Sequence, residues 1–221
     1  IGFNFSGRTE IGVGFNKQRE LLRPQDADGV TTNKDFSLTG WQIQFETAFA
    51  DEFRAEANLD FGTAVNFIRP DGQAPELGNV LEGEVELNFL PSTQFRIDNN
   101  YLFSRLNDRR SGERVFTNHI LRSRWNWQFD RKLSLRVIFQ YDVTLFDPSL
   151  SAFETEKNFN VDFLLTYLVN PWTALFAGVN SNYQNLDLMT TGGTTSVRRT
   201  GNSFLNDGRQ FFVKYSYLFR F

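Results

Sequence analysis

QFFVKYSYLFRF, residues 210–221, closes the chain. Phe211, Val213, Tyr215, Tyr217, Phe219 and Phe221 make every odd position apolar or aromatic, while Lys214, Ser216 and Arg220 fall between them. A helix would repeat its apolar face about every 3.6 residues, whereas an extended strand repeats it every second one. These residues therefore read as a strand with one apolar and one polar face.

Working back from this segment, the same alternation recurs to give ten strands in all. Ile1, Phe3, Phe5, Ile11, Val13 and Phe15 begin it, followed by Trp41, Ile43, Phe45 and Phe49, then Phe53, Ala55, Leu59, Phe61, Val65 and Phe67. Leu81 to Phe89, Phe95 to Phe103, Leu121 to Phe129, Leu133 to Val143, Phe159 to Tyr167, Leu175 to Tyr183 and Val213 to Phe221 continue it. All of these apolar positions carry odd numbers. The even positions are strongly polar: Glu10; Gln42, Gln44 and Glu46; Arg54, Glu56 and Asp60; Glu82, Glu84 and Glu86; Arg96 and Asp98; Arg122 and Arg124; Arg136 and Asp142.

Short and long connections take turns along the chain. Tight ones are expected near Asp51-Glu52, Leu90 to Thr93, Asp130 to Lys132 and Val169 to Trp172. Long ones are expected over residues 18–35, 68–79, 104–115, 146–157 and 184–208, the last rich in Thr and Gly and read as flexible. Aromatic residues gather beside the short turns, including Trp125, Trp127 and Trp172, and with Trp41 they suit a membrane–water boundary. This is the layout of an antiparallel up-and-down transmembrane β-barrel. A soluble β-sandwich would share the alternating strands but not the regular succession of short and long connections.

The final strand resembles the C-terminal signal by which the bacterial assembly machinery recognises its barrel substrates. Lys214, Ser216, Phe219 and Phe221 occupy the signal's positions, with Ser216 standing where glycine is usual. Residues 126–142 (NWQFDRKLSLRVIFQYD), 162–185 and the final strand are further similar to a bacterial family known as a domain of unknown function. In that family a periplasmic domain similar to carbohydrate-binding module family 9 precedes an outer-membrane barrel. The resemblance is good from residue 120 onward and one of style before that; it implies location and architecture, with no catalytic motif to transfer. Ile1 begins inside a strand and no signal peptide opens the chain, so the expectation is a single barrel domain over residues 1–221 whose N-terminus has been removed or processed.

Composition narrows the function. No apolar run approaches the roughly 18 residues of a transmembrane helix. Net charge is −3 and no basic stripe with interleaved aromatics is present, which argues against nucleic acid. Mean hydropathy of −0.39 and the 25 phenylalanines fit a soluble core as well as a barrel. Cysteine is absent, as is common in exported and cytosolic chains alike.

Candidate chemistry is sparse. His119, the one histidine, carries an odd number and so sits on the apolar side, away from any partner acid; a barrel hydrolase would need it paired. Glu82, Glu84 and Glu86 suggest a cation site, but Arg54, Arg96, Arg122 and Arg124 on other strands favour ion pairing. Asp26-Ala27-Asp28-Gly29 lacks the later glutamate of a calcium loop and reads as a polar turn. Arg109-Arg110 and Arg198-Arg199 fall in loops, as solvated charges or as contacts for lipopolysaccharide phosphates.

The sequence thus predicts an all-β barrel of about ten strands, alone or as part of a larger one, in the bacterial outer membrane. Its lumen would carry Arg54, Glu56, Glu82, Glu84, Glu86, Arg96, Asp98, Arg122, Arg124 and Arg136. With so many long charged side chains inside, a ten-stranded lumen is expected to be plugged or narrow. No catalytic, cofactor or metal residues are assigned. The expected role is a non-enzymatic pore, uptake component or membrane anchor, with membrane lipid, lipopolysaccharide and the assembly machinery as partners. A secreted sandwich binding module and a barrel hydrolase are the other readings. Under the membrane reading, Val137→Arg should block assembly and Arg136→Val should be tolerated.

Overall fold

The computed structural model describes residues 1–5, 8–191, 193–201 and 204–218. The strands are β1 (Gly2–Phe5), β2 (Thr9–Leu22), β3 (Lys34–Ala50), β4 (Phe53–Asn66), β5 (Glu76–Ser92), β6 (Phe95–Asp108), β7 (Arg114–Gln128), β8 (Leu133–Phe146), β9 (Glu156–Asn170), β10 (Thr173–Gln184), β11 (Leu186–Thr191), β12 (Thr194–Arg199) and β13 (Leu205–Tyr217). Eleven of them form one antiparallel sheet in the order β1 to β10 and then β13, each neighbour in sequence being a neighbour in space. This is the all-β, up-and-down meander of a barrel wall. Among the described residues no ladder joins β13 to β1 or β2.

Two details differ from the sequence reading. Residues 1–15 are two strands, because the chain turns back before Thr9 and pairs Phe3 with Ile11 and Asn4 with Glu10. Arg8 adopts φ 56° in that turn, a left-handed conformation that no hydrophobic pattern signals. The segment expected as a flexible loop over residues 184–208 contains the β11–β12 hairpin, so Arg198 and Arg199 lie on a strand. Arg199 is also ion-paired, 2.5 Å from Glu156.

Short connections join β3 to β4, β5 to β6, β7 to β8 and β9 to β10, and longer ones join the other ends. Asx hydrogen bonds fix the tight turns. Trp172 N donates to Asn170 Oδ1 at 2.9 Å, and Asp130 accepts from Lys132 N (2.6 Å) and Leu133 N (2.9 Å). The bond from Lys132, then that from Leu133, holds the Asp130 carboxyl below the ordinary carboxylate range. A lowered folded-state value contributes stability above the unfolded value that is lost as pH falls through the folded one.

At the long-loop end the sheet divides. The β3–β4 ladder stops at Gly40 and Gly62, after which β3 stays with β2 and β4 with β5. A β-carbon at Gly62 would run into the Thr39 carbonyl, so the two tips cross closely there. Leu22, Phe36 and Leu38, on the even face of the β2–β3 tip, pack with Val65 and Leu77 from the odd face of the β4–β5 tip. Opposite faces meet, which means that one tip lies over the other and makes a small core beyond the main wall.

Away from the register slips near the strand ends, odd residues face odd residues in the ladders of the large sheet: Trp41 faces Phe61, Phe53 faces Phe89, Trp125 faces Val137, and Val137 faces Phe163. The sheet therefore keeps one predominantly apolar face and one that carries most of its charge. Val137 is only 7% exposed beneath its aromatic neighbours, so an arginine there tests packing as well as lipid contact, whereas Leu165 on the same face is 41% exposed. An arginine turned to lipid at mid-bilayer costs about 2–4 kcal/mol.

Accordingly, Leu165→Arg is expected to lower the yield of heat-shifting folded protein in lipid vesicles sharply, whereas Arg136→Val on the polar face leaves it near the original level. In micelles, Asp130→Ala should flatten the loss of urea resistance between pH 5 and pH 3, since the group responsible for part of it has gone.

Candidate functional site

The polar face is organised by register. Glu10 stands opposite Glu46, Glu46 opposite Glu56, and Glu56 opposite Glu86, so four glutamates from β2, β3, β4 and β5 form one row across the wall. Opposed residues place their β-carbons roughly 4.5–5.5 Å apart, where like charges repel. Arg54 relieves part of this, with Nη2 2.8 Å from Glu46 Oε1 and 2.5 Å from Glu56 Oε1. At the end of the row, Asn100 Nδ2 donates to Glu86 (3.2 Å) and to Glu84 (3.0 Å).

The row then changes character. Arg122 lies opposite Asn100, and Gln140 opposite Arg122. One step along the strands, Asp98 receives Arg96 at 2.7 Å and Arg124 at 3.0 Å. Arg122 and Arg136 make no ion pair among the described residues. Farther round the wall, amides take over: Asn118 donates to Asp142 (3.2 Å), Asn180 to Asn160 (3.3 Å) and also to Asp162. The face thus grades from acidic across β2–β5, through basic across β6–β8, to amide-rich across β8–β10.

The expected pairing of Glu82, Glu84 and Glu86 with arginines is corrected by this register. Ser104, Leu102 and Asn100 stand opposite those glutamates. Ser104 donates to Glu82 at 3.4 Å and Asn100 serves the other two. Arg96 instead reaches Asn88 (3.0 Å) and Asp98 on the turn side. Among the described residues, no group of three or more histidine, cysteine or acidic side chains is arranged to hold a metal ion.

Aromatic rings dominate the odd face. Near the short turns Phe49 packs on Phe53 (5.1 Å between centroids), and Trp127 lies between Phe95 (5.5 Å) and Phe129 (5.0 Å). Trp125 packs on Phe139 at 5.5 Å, and Trp172 sits exposed in the β9–β10 turn. Trp41 lies farther from the turns, in mid-β3, 4.9 Å from Phe15. His119 belongs to this face: its Nδ1 is 2.8 Å from Tyr101 Oη, and its ring packs on Phe103 at 5.2 Å. Its cross-strand neighbours, Phe103 and Val143, supply neither nucleophile nor acid.

Of the C-terminal signal, Lys214 lies opposite Phe176, with its ammonium 5.9 Å from that ring, and Ser216 opposite Ala174. Phe219 and Phe221 lie outside the described residues.

No protein-family model matches the chain, and no curated protein matches it. Among solved structures it is similar to OmpT (in-vitro folded), an outer membrane protein of Vibrio cholerae in its trimer form. Identity is 10%, the TM-score is 0.48, and the alignment covers 91% of this chain and 64% of that one. The chain thus spans less than two thirds of that protein's length.

Arg54→Met should destabilise the protein by up to about 1 kcal/mol, as the solvated Glu46 and Glu56 lose their shared cation. Urea unfolding in micelles measures it, and Gln44→Met in the neighbouring β3 serves as the control for changing a polar-face side chain.

Proposed function

We propose that the chain is the wall of a non-enzymatic outer-membrane β-barrel whose even face lines an aqueous path. The observation that carries this reading is the parity shared by the ladders through the middle of the wall: there the ionised side chains take the even face and most of the large apolar ones the odd face, while the charged odd residues Lys17, Arg19, Asp35, Arg105, Lys157 and Arg209 lie toward the long-loop ends. A face of arginines and glutamates requires water and mutual pairing, and a face of exposed phenylalanine and tryptophan requires something apolar over it. A bilayer around the wall and water inside it satisfy both. Aromatic rings beside the short turns suit the periplasmic boundary, and the longer loops then face outward.

The grading of the polar face supports a pore over a plain anchor. An acidic sector beside a basic one sets up a lateral field across a lumen, and the four-glutamate row favours cations on its side. His119, held among rings on the apolar side, gives no support to hydrolysis. Attachment of a periplasmic domain remains part of the proposal that the resemblance to the carbohydrate-binding-module-bearing family implies.

Purified protein refolded into planar bilayers should give conductance steps with a reversal potential favouring cations across a salt gradient. Glu46→Lys with Glu86→Lys should move that potential toward anions. Insertion without conductance would leave an anchor and remove the pore. Full solubility without detergent would overturn the membrane reading itself.

A further inference from the structure

The odd face is not uniform. Where β9, β10 and β13 approach the long loops, a cavity of about 540 Å³ opens on it, lined by Phe159, Val161, Phe163, Val179 and Tyr183. Phe204, from the segment entering β13, closes its side. Phe204 carries an even number yet reaches the odd face because the β10–β13 ladder slips by one residue at Asn182/Tyr183. A second apolar hollow of about 360 Å³ shares Phe163 and Val179 with the first and continues toward the turn end past Phe211. Together they make a groove running along the strands.

Two cations stand at the upper lip. Arg209 Nε is 3.3 Å from Ser181 Oγ, and its Nη2 is 3.5 Å from Tyr183 Oη. Lys157, two residues from Phe159 on the same face, donates to the Gly201 carbonyl at 2.6 Å. Neither pairs with a carboxylate among the described residues: the nearby acids are turned to the other face, Asp207 toward Asn182 and Gln184, and Glu156 toward Arg199. Two cations held by neutral oxygens above an apolar groove leave positive charge unanswered where the sheet meets the membrane. A headgroup phosphate would answer it, and an acyl chain would fill the groove below.

We propose that this groove seats one acyl chain of a phosphorylated glycolipid of the outer leaflet, with Arg209 and Lys157 holding its phosphate. The inference rests on the membrane reading above. The position at the long-loop end selects the outer leaflet, and with it lipopolysaccharide over phospholipid. Phe204 acts as a side wall that the bulge swings into place, so the seat depends on the fold of the β11–β12 excursion and not on strand alternation alone.

Native mass spectrometry of detergent-solubilised, refolded protein tests it, with bisphosphorylated lipid A and phosphatidylglycerol added separately at equal concentrations. The original protein should retain one lipid A in preference to phosphatidylglycerol, and Lys157→Glu with Arg209→Glu should weaken retention at least tenfold. Phe204→Ala, outside the strands, should also weaken it while leaving the heat-shifted band intact, and it carries the test if the double variant does not fold. Equal retention by the original and the folded variants, preference for phosphatidylglycerol, or no retention of lipid A would overturn the proposal. None of these results bears on conductance, so the pore reading fails or stands separately.

Discussion

Everything in this protein depends on the ladders remaining in step. A β-strand alternates its side chains strictly, so a shift of one residue between neighbours would carry an entire apolar set to the polar side. Across the large sheet odd faces odd, from Phe3 against Ile11 to Ala177 against Val213. That agreement turns eleven separate amphipathic segments into one wall with two chemically distinct surfaces. Between neighbouring strands the polar groups of the backbone are consumed by the ladders themselves, as a wall in hydrocarbon would require, whereas the outer edges of β1 and β13 have no ladder among the described residues. Slips of register occur at Thr47/Ala50, Phe89/Ser92, Leu106/Asn107, Thr173/Ala174 and Asn182/Tyr183, near the strand ends.

Electrostatics on the polar face follow from the same arrangement. Placing Glu10, Glu46, Glu56 and Glu86 in one row is unfavourable taken pairwise, and the single Arg54 offsets only part of it. Hydration of the exposed carboxylates and hydrogen bonds from Asn100 supply more relief. The basic sector around Arg122 and Arg124 lies on the following strands, close enough to shape a field but not to cancel each charge. Such separation of sign across one face is a cost to folding that the proposed passage would make use of.

Most of the wall was legible in the sequence because its signal is a parity, visible at any residue without knowing its partner. The strands β3 to β10 and β13 and the side taken by His119 and Leu165 follow from odd and even numbering, and the four tight turns fall in the gaps between such runs. Partnership is different information. That Glu84 meets Asn100 and not an arginine depends on turn length and ladder register, which sum over both strands and their connection. The return of the chain at Arg8 and the β11–β12 hairpin were hidden for a related reason: both rest on local backbone conformation in stretches rich in small and polar residues, where propensity is weak. Phe204 was hidden by a single extra residue, since alternation assigns an even residue to the wrong side once a bulge intervenes.

The bulge beside Asp207 also says how such a chain can change over evolutionary time. Its strands are read in twos, so losing or gaining one codon in mid-strand acts as a frameshift acts on a message, exchanging the surfaces of all that follows up to the next turn. Pairs of residues can come and go, lengthening a hairpin without altering its sense. The bulge is one place where a single residue is accommodated, because the adjoining excursion absorbs the change of phase before β13 resumes the common register at Gly208. Variation in length among descendants of this protein is therefore expected to fall in even steps within the wall and in any step beyond it.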